Sequence, residues 1–216
     1  MTGNLAWVAD AWHSAKLNAT DLYITCARGL SPQQLAERIA DHGPVKVGPA
    51  LTIQEASRMV DLARTYCVGR IGQSGDWSFI VECGGSEGWS LDPAVSRGGA
   101  DVLILDPRPD DPPSFFTYLA DGELCLHFEL GFGYAPAGTQ PGLLRPALEA
   151  AGVIPGEERI EDQLGEDESE ELSPLEEKRR VLKIAGDHFG LSLPQHVIEN
   201  GRLPAVVTRT SPPSSW

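Results

Sequence analysis

Basic residues are scarce in this chain: 17 Lys and Arg stand against 31 Asp and Glu, a formal net charge of −14 over 216 residues. Such a balance opposes unaided binding to a phosphate backbone and favours a basic or neutral protein partner, so nucleic acid is not expected as a ligand. Long apolar runs are missing too. The opening stretch mixes Asp10, His13 and Lys16 with its apolar residues, and neither a signal peptide nor a membrane span is expected. The few cysteines, Cys26, Cys67, Cys83 and Cys125, lie 41, 16 and 42 residues apart, which is not metal-ligand spacing. Each has apolar or strand-like neighbours, and reduced, buried thiols in a cytoplasmic protein are the expectation. A P-loop lysine pattern, a dinucleotide fingerprint and an EF-hand loop are all absent, so no cofactor and no metal is expected. The serines of GQSGD (72–76) and GGSEG (84–88) do not sit in the strand-to-helix elbow of a hydrolase.

What is present is a hydrophobic content of 41 %, ample for a buried core without disulfides or metal. Between residues 66 and 128, short apolar runs alternate with glycine, aspartate and proline, the pattern of an antiparallel meander. Four or five strands are implied there, with a tight turn at Asp121-Gly122. A strand-like LYITCARG precedes them, and LPAVV near the C-terminus offers a final strand. Helix signals flank the meander. Leu5, Val8, Ala9 and Trp12 are spaced for a short N-terminal helix, Ser31-Pro32 opens a second, and Thr52 with Glu55 opens a third whose stripe continues through Met59, Val60 and Ala63. A short helix is expected between residues 138 and 156, and Ser173, Pro174 and Glu176 start another that ends at Gly190. The expected fold is therefore α+β, a central antiparallel meander sheet flanked by N-terminal and C-terminal helices.

The same reading divides the chain into a main domain at 1–156, an acidic linker at 157–172, a helical segment at 173–207 packed on the main domain, and a flexible tail at 208–216. Residues 157–171 carry nine acidic side chains and one arginine, and like charges resist compaction.

Two sets of residues carry functional readings. Trp77, Trp89, Phe116 and Tyr118 are large contact groups near acidic residues, suited to an interface with a basic or neutral protein. They support a protein-binding or regulatory module, with an immunity-like role as one form of it. The alternative set is Glu123, Cys125, His127 and Glu129, which share one side of a regular strand. Histidine beside carboxylates suits a hydrolase-like enzyme or a small-ligand site, and Cys125 could serve as a nucleophile. Glu82, Glu87, Asp92, Asp101 and Asp106 surround the meander as further carboxylates. A solvated polar face predicts the same alternation.

Motif order adds a resemblance. The N-terminal tryptophan region, CARGLSPQQLAERI (26–39), WSFIVECGGSEG (77–88), FTYLADGELCLHFE (116–129) and FGLSLPQHVIENGRLP (189–204) follow one another as in an uncharacterised domain family common in actinobacteria. The chain resembles that family over residues 5–207. The resemblance implies no activity, cofactor or catalytic residue, and the expanded acidic segment departs from the shared pattern.

Overall fold

Continuous apolar runs in the central strands and alternating ones toward the edges build a single eight-stranded sheet. It is seen in a computed structural model that describes residues 4–14, 22–40, 43–60, 67–83, 92–108, 113–155 and 172–209. The strands are β1 (Tyr23–Arg28), β2 (Ala50–Leu51), β3 (Cys67–Ser74), β4 (Trp77–Cys83), β5 (Asp101–Asp106), β6 (Ser114–Ala120), β7 (Glu123–Leu130) and β8 (Leu203–Arg209). Their order is β2-β8-β3-β4-β1-β5-β6-β7, and every neighbouring pair is antiparallel.

The expected meander is thus present but split. β3 and β4 form one hairpin and β5 to β7 a second run, while β1 enters between them and β8 returns beside β3. The cause is visible in β1 itself, where Ile24, Thr25, Cys26 and Ala27 are all buried. A strand apolar on both sides needs cover on both sides, which only a central position supplies. β4 is buried along its whole length for the same reason. Its Phe79 ring lies over Gly72 of β3, where a Cβ would stand 2.4 Å from the ring. At the β6–β7 turn Asp121 and Gly122 both have positive φ, 45° and 88°, the twist that a two-residue hairpin requires.

Helices cover both faces. On one lie α1 (Ala6–His13), α3 (Ile53–Ser57), α4 (Arg145–Ala150), α5 (Pro174–Phe189) and α6 (Gln195–Asn200), joined to the sheet by a core around Trp77, Phe79, Phe116 and Phe128. α5 starts at Ser173, whose hydroxyl accepts from the Glu176 N–H, and stops at Gly190 with φ 63°. Burial of Val181, Leu182, Ala185 and Phe189 fixes its inner face, each large side chain contributing about 2 kcal/mol. α3 opens on the Thr52–Glu55 capping box, with both reciprocal bonds made. It ends at Ser57, so Met59 does not join an apolar stripe and is 46 % exposed. Ala63 lies outside the described residues.

The opposite face carries less. α2 (Pro32–Ile39), capped reciprocally by Ser31 and Gln34, packs Leu35, Ala36 and Ile39 against the β3, β4 and β8 side. Among the described residues, a one-turn 3-10 helix, Pro93–Ser96, lies over β5, β6 and β7, started by an Asp92 side chain that accepts from the Ala94 N–H.

All four cysteines are buried free thiols. β8 runs through Thr208 and Arg209, beyond the sequence-based boundary at 207, and the Thr208 hydroxyl donates to Glu82 Oε1 at 3.0 Å. The acidic segment 157–171, the rest of the tail from 210, and Trp89 with its loop (84–91) lie outside the described residues.

Candidate functional site

Three neighbouring strands set the site by register alone. Ile104 of β5 pairs with Thr117 of β6, which pairs with His127 of β7. The row beyond is Asp106, Phe115 and Glu129, and the row before is Val102, Leu119 and Leu124. These rows lie on the face that α2 leaves uncovered. There a cavity of about 220 Å³ opens between the sheet and the 3-10 helix, lined by Pro93, Ile104, Asp106, Thr117, Leu119, Leu124 and His127.

Its polar groups are few and specific. Asp106 is 2 % exposed. Its Oδ1 accepts from the Arg108 backbone N–H at 3.1 Å, while its Oδ2 is buried with no hydrogen-bond partner. Arg108 adopts φ 39° to make that turn, and its guanidinium lies 5.3 Å over the Phe115 ring. Burial pushes the Asp106 carboxyl up to about 6, against the lowering effect of the Arg108 N–H and charge. An orphaned carboxylate oxygen is costly in a low-dielectric setting and calls for a partner, a ligand group or an ordered water.

His127 faces the same cavity from the far side. Its Nδ1 lies 2.8 Å from Thr117 Oγ1, and its ring stacks on Phe115 at 4.8 Å and 11°. Its backbone is pinned too, exchanging bonds of 2.9 and 2.8 Å with Ala137. Burial lowers the imidazole pKa, with the Glu129 charge opposing, so the ring is neutral near pH 7. With Nδ1 engaged by the Thr117 hydroxyl, Nε2 is the ring atom left to meet a ligand. Two strand spacings and two residues separate Asp106 from His127, roughly 11 Å between their Cα atoms. They are anchors at two ends of a small space, not a directly bonded pair.

The structure separates the second sequence-derived set. Leu119 pairs with Leu124 but Tyr118 pairs with Leu126, so Cys125 is an extra, unpaired residue in β7. That bulge resets the alternation. Leu124 therefore shares the cavity with His127, while Glu123 is out of phase and exposed, and Glu129 is exposed at the outer edge. Cys125 is 2 % exposed with Gln140 Nε2 3.7 Å from its sulfur; it is not among the residues lining the cavity with His127. The 137–140 segment closes over the bulge, its Gln140 N–H donating to the Cys125 carbonyl at 2.7 Å. Gly138 makes the approach possible, because a Cβ there would stand 2.5 Å from that carbonyl oxygen.

Two members of the aromatic set are corrected, while Trp89 lies outside the described residues. Trp77 is 1 % exposed and Phe116 fully buried, so both are core residues and not presented contacts. The half-buried Tyr118 donates to Asp101 Oδ1 at 2.8 Å and packs on Phe189. Asp101 also takes Arg28, whose guanidinium lies over Trp77 at 5.1 Å.

A second depression, about 440 Å³, lies among α1, α3 and α6, lined by Asp10, Gln54, Gln195, Glu199 and Asn200 among others. Its carboxylates are already served, Asp10 by Arg179 and Glu199 by Gln195. The smaller cavity holds the unanswered group. Among the described residues no cluster of three or more His, Cys, Asp or Glu side chains could hold a metal ion, and no helix is long and apolar enough to cross a membrane.

Sequence reading reached His127 but counted Asp106 only as one of several carboxylates. The available signal was phase. In DVLILD, Asp106 falls two and four residues after Ile104 and Val102, on the side of the strand that faces inward.

Fold and site together define an α+β domain, one antiparallel sheet with helices on both faces and a small cavity over the strands that α2 leaves open. The chain belongs to a family of unknown function, DUF6461, whose profile matches residues 4–198. No curated protein and no solved structure matches it.

Proposed function

We propose that this chain is a small-molecule-binding domain that takes its ligand in the cavity over β5, β6 and β7, with Asp106 and His127 as the polar anchors. The observation that carries this reading is Asp106, which lines the cavity and holds a buried oxygen, Oδ2, without a hydrogen-bond partner. Ile104, Leu119 and Leu124 supply the apolar walls such sites need, and a few fixed polar groups supply orientation. A cavity of about 150 Å³ accepts benzene, so this one has room for roughly nine non-hydrogen atoms.

The separation of Asp106 from His127 favours binding over hydrolysis, since neither group is placed to activate the other. Protein recognition loses support with the burial of Trp77 and Phe116. Four free thiols support a reducing, cytoplasmic setting, and the motif order supports an actinobacterial source.

The test is amide NMR of the full chain against a panel of monocyclic fragments, repeated on Leu119→Trp, which fills the cavity. Binding is expected to shift the signals of Thr117 and His127 and to vanish in the variant. Absence of any bound fragment, or binding that survives Leu119→Trp, would overturn the reading.

A further inference from the structure

We infer that the ligand of this cavity is a small organic cation, an amine or amidine whose N–H group donates to Asp106 Oδ2 while its apolar body lies on Ile104, Leu119 and Leu124. The inference rests on the cavity reading and adds to it the charge and donor character of the ligand.

Asp106 Oδ1 already has the Arg108 N–H, and Oδ2 has nothing. A carboxylate oxygen accepts and does not donate, so the complement is an N–H or O–H group. A cationic nitrogen adds to the hydrogen bond the attraction of opposite charges, stronger out of water, which favours it over a neutral hydroxyl. Anions are opposed by Asp106 and by Glu129 at the cavity's outer edge, within a chain of net charge −14. The Arg108 guanidinium does not answer Oδ2; it lies over Phe115. A metal cation would need more ligands than the one carboxylate and one imidazole here, since Thr117 is a poor ligand and the remaining walls are apolar. A lone water could satisfy Oδ2 but would leave most of an apolar-walled space unfilled. At the other end His127 lines the cavity with Nδ1 taken by Thr117, so Nε2 is left for a second polar atom, and a ligand with one nitrogen and one further hydrogen-bonding atom fits best.

The experiment uses three probe sets matched in shape and differing in charge: benzylamine, benzyl alcohol and benzoate, with the cyclohexylmethyl and butyl counterparts of each. Affinities are measured by ligand-observed NMR for the wild type, Asp106→Asn and Leu119→Trp. Asp106→Asn keeps an Oδ1 for the Arg108 N–H, and its thermal unfolding confirms the fold. The amines are expected to bind about tenfold tighter than the alcohols, and to lose about that factor in Asp106→Asn while the alcohols change little. Leu119→Trp is expected to abolish both. Alcohols or carboxylates binding as tightly as the amines, or amine binding indifferent to Asp106→Asn, would overturn the cation assignment and leave the cavity reading standing. If no probe of any charge binds, the cavity reading falls and this inference with it.

Discussion

The two faces of the sheet are built from the same strands yet are covered differently. One face is sealed by five helices over aromatic rings, Phe116 against Phe128 at 5.3 Å and against Phe189 at 6.3 Å. The other has α2 on one half and, among the described residues, a 3-10 turn on the rest, and there Asp106, Thr117 and His127 stand beside the Phe115 ring. Buried polar atoms without a partner lie on both faces, Trp7 Nε1 and Arg70 Nη1 on the sealed side and Asp106 Oδ2 on the open one, but there Asp106 also lines a cavity. A binding site is expected where packing is left incomplete, since preorganised polar groups are costly to hold without a ligand.

The largest test of that contrast is a pair of truncations. Phe116→Ala removes a fully buried ring from the sealed face and is expected to cost about 3 to 5 kcal/mol in urea unfolding. Leu124→Ala, on the half-buried rim of the cavity, is expected to cost about 1 kcal/mol, because the side chain removed is only partly out of water. Equal costs would dissolve the distinction between the faces.

Asp106→Asn turns the contrast around, since here a substitution is expected to stabilise. The folded carboxyl sits at about 6 against an ordinary 3.8, so the folded state holds its proton the more tightly. The stability lost to Asp106 is therefore nil below pH 4, grows as pH rises through the window to about 6, and stays lost above it. Two pH units correspond to about 3 kcal/mol. The amide should recover about 2 to 3 kcal/mol at pH 7.5 and almost nothing at pH 3.5, read from denaturant midpoints at the two pH values. His127 acts in the opposite sense: its pKa is lowered on folding, so its contribution is present above the ordinary histidine range and is lost as pH falls through it. His127→Gln separates the two slopes. An Asp106→Asn gain that did not depend on pH would mean that the carboxyl is not the source of the strain.

Much of this architecture was legible in the chain, and the exceptions have physical causes. Caps at Ser31, Thr52 and Ser173 and the Asp121-Gly122 turn are local, their partners lying within a few residues, and they fall where the residues predict. The place of β1 is not local. Its apolar run says that both sides are covered, but not that β4 and β5 are the neighbours. The site suffered from a single residue. With regular alternation Glu123, Cys125, His127 and Glu129 would share a face; one bulge opposite Tyr118 and Leu119 breaks that face and brings Leu124 to His127 instead. Asp106 reaches the same cavity from a different strand, a link that only pairing across β6 creates.

A smaller test asks whether the covered half of the second face is independent of the open half. Ser31→Ala removes the hydroxyl that accepts from the Gln34 N–H at the start of α2 and is expected to cost about 1 kcal/mol. Since α2 packs on the β3, β4 and β8 side, the NMR signals of Thr117 and His127 should stay in place. Movement of those signals would show that α2 helps to shape the cavity.

The smallest expected change in stability belongs to Thr117→Val, and it bears most directly on the site. The substitution is nearly isosteric and deletes only the hydroxyl 2.8 Å from His127 Nδ1, a bond with a net value of about 0.5 to 1 kcal/mol. The imidazole keeps its stacking on Phe115 and its backbone bonds to Ala137, so the ring should hold its position and lose only its Nδ1 partner. Nitrogen-15 shifts of the His127 ring would read this as a change at Nδ1 in the variant, at a pH where the ring is neutral. Unchanged nitrogen shifts would mean that Thr117 does not engage Nδ1, and that His127 is held in this place by packing alone.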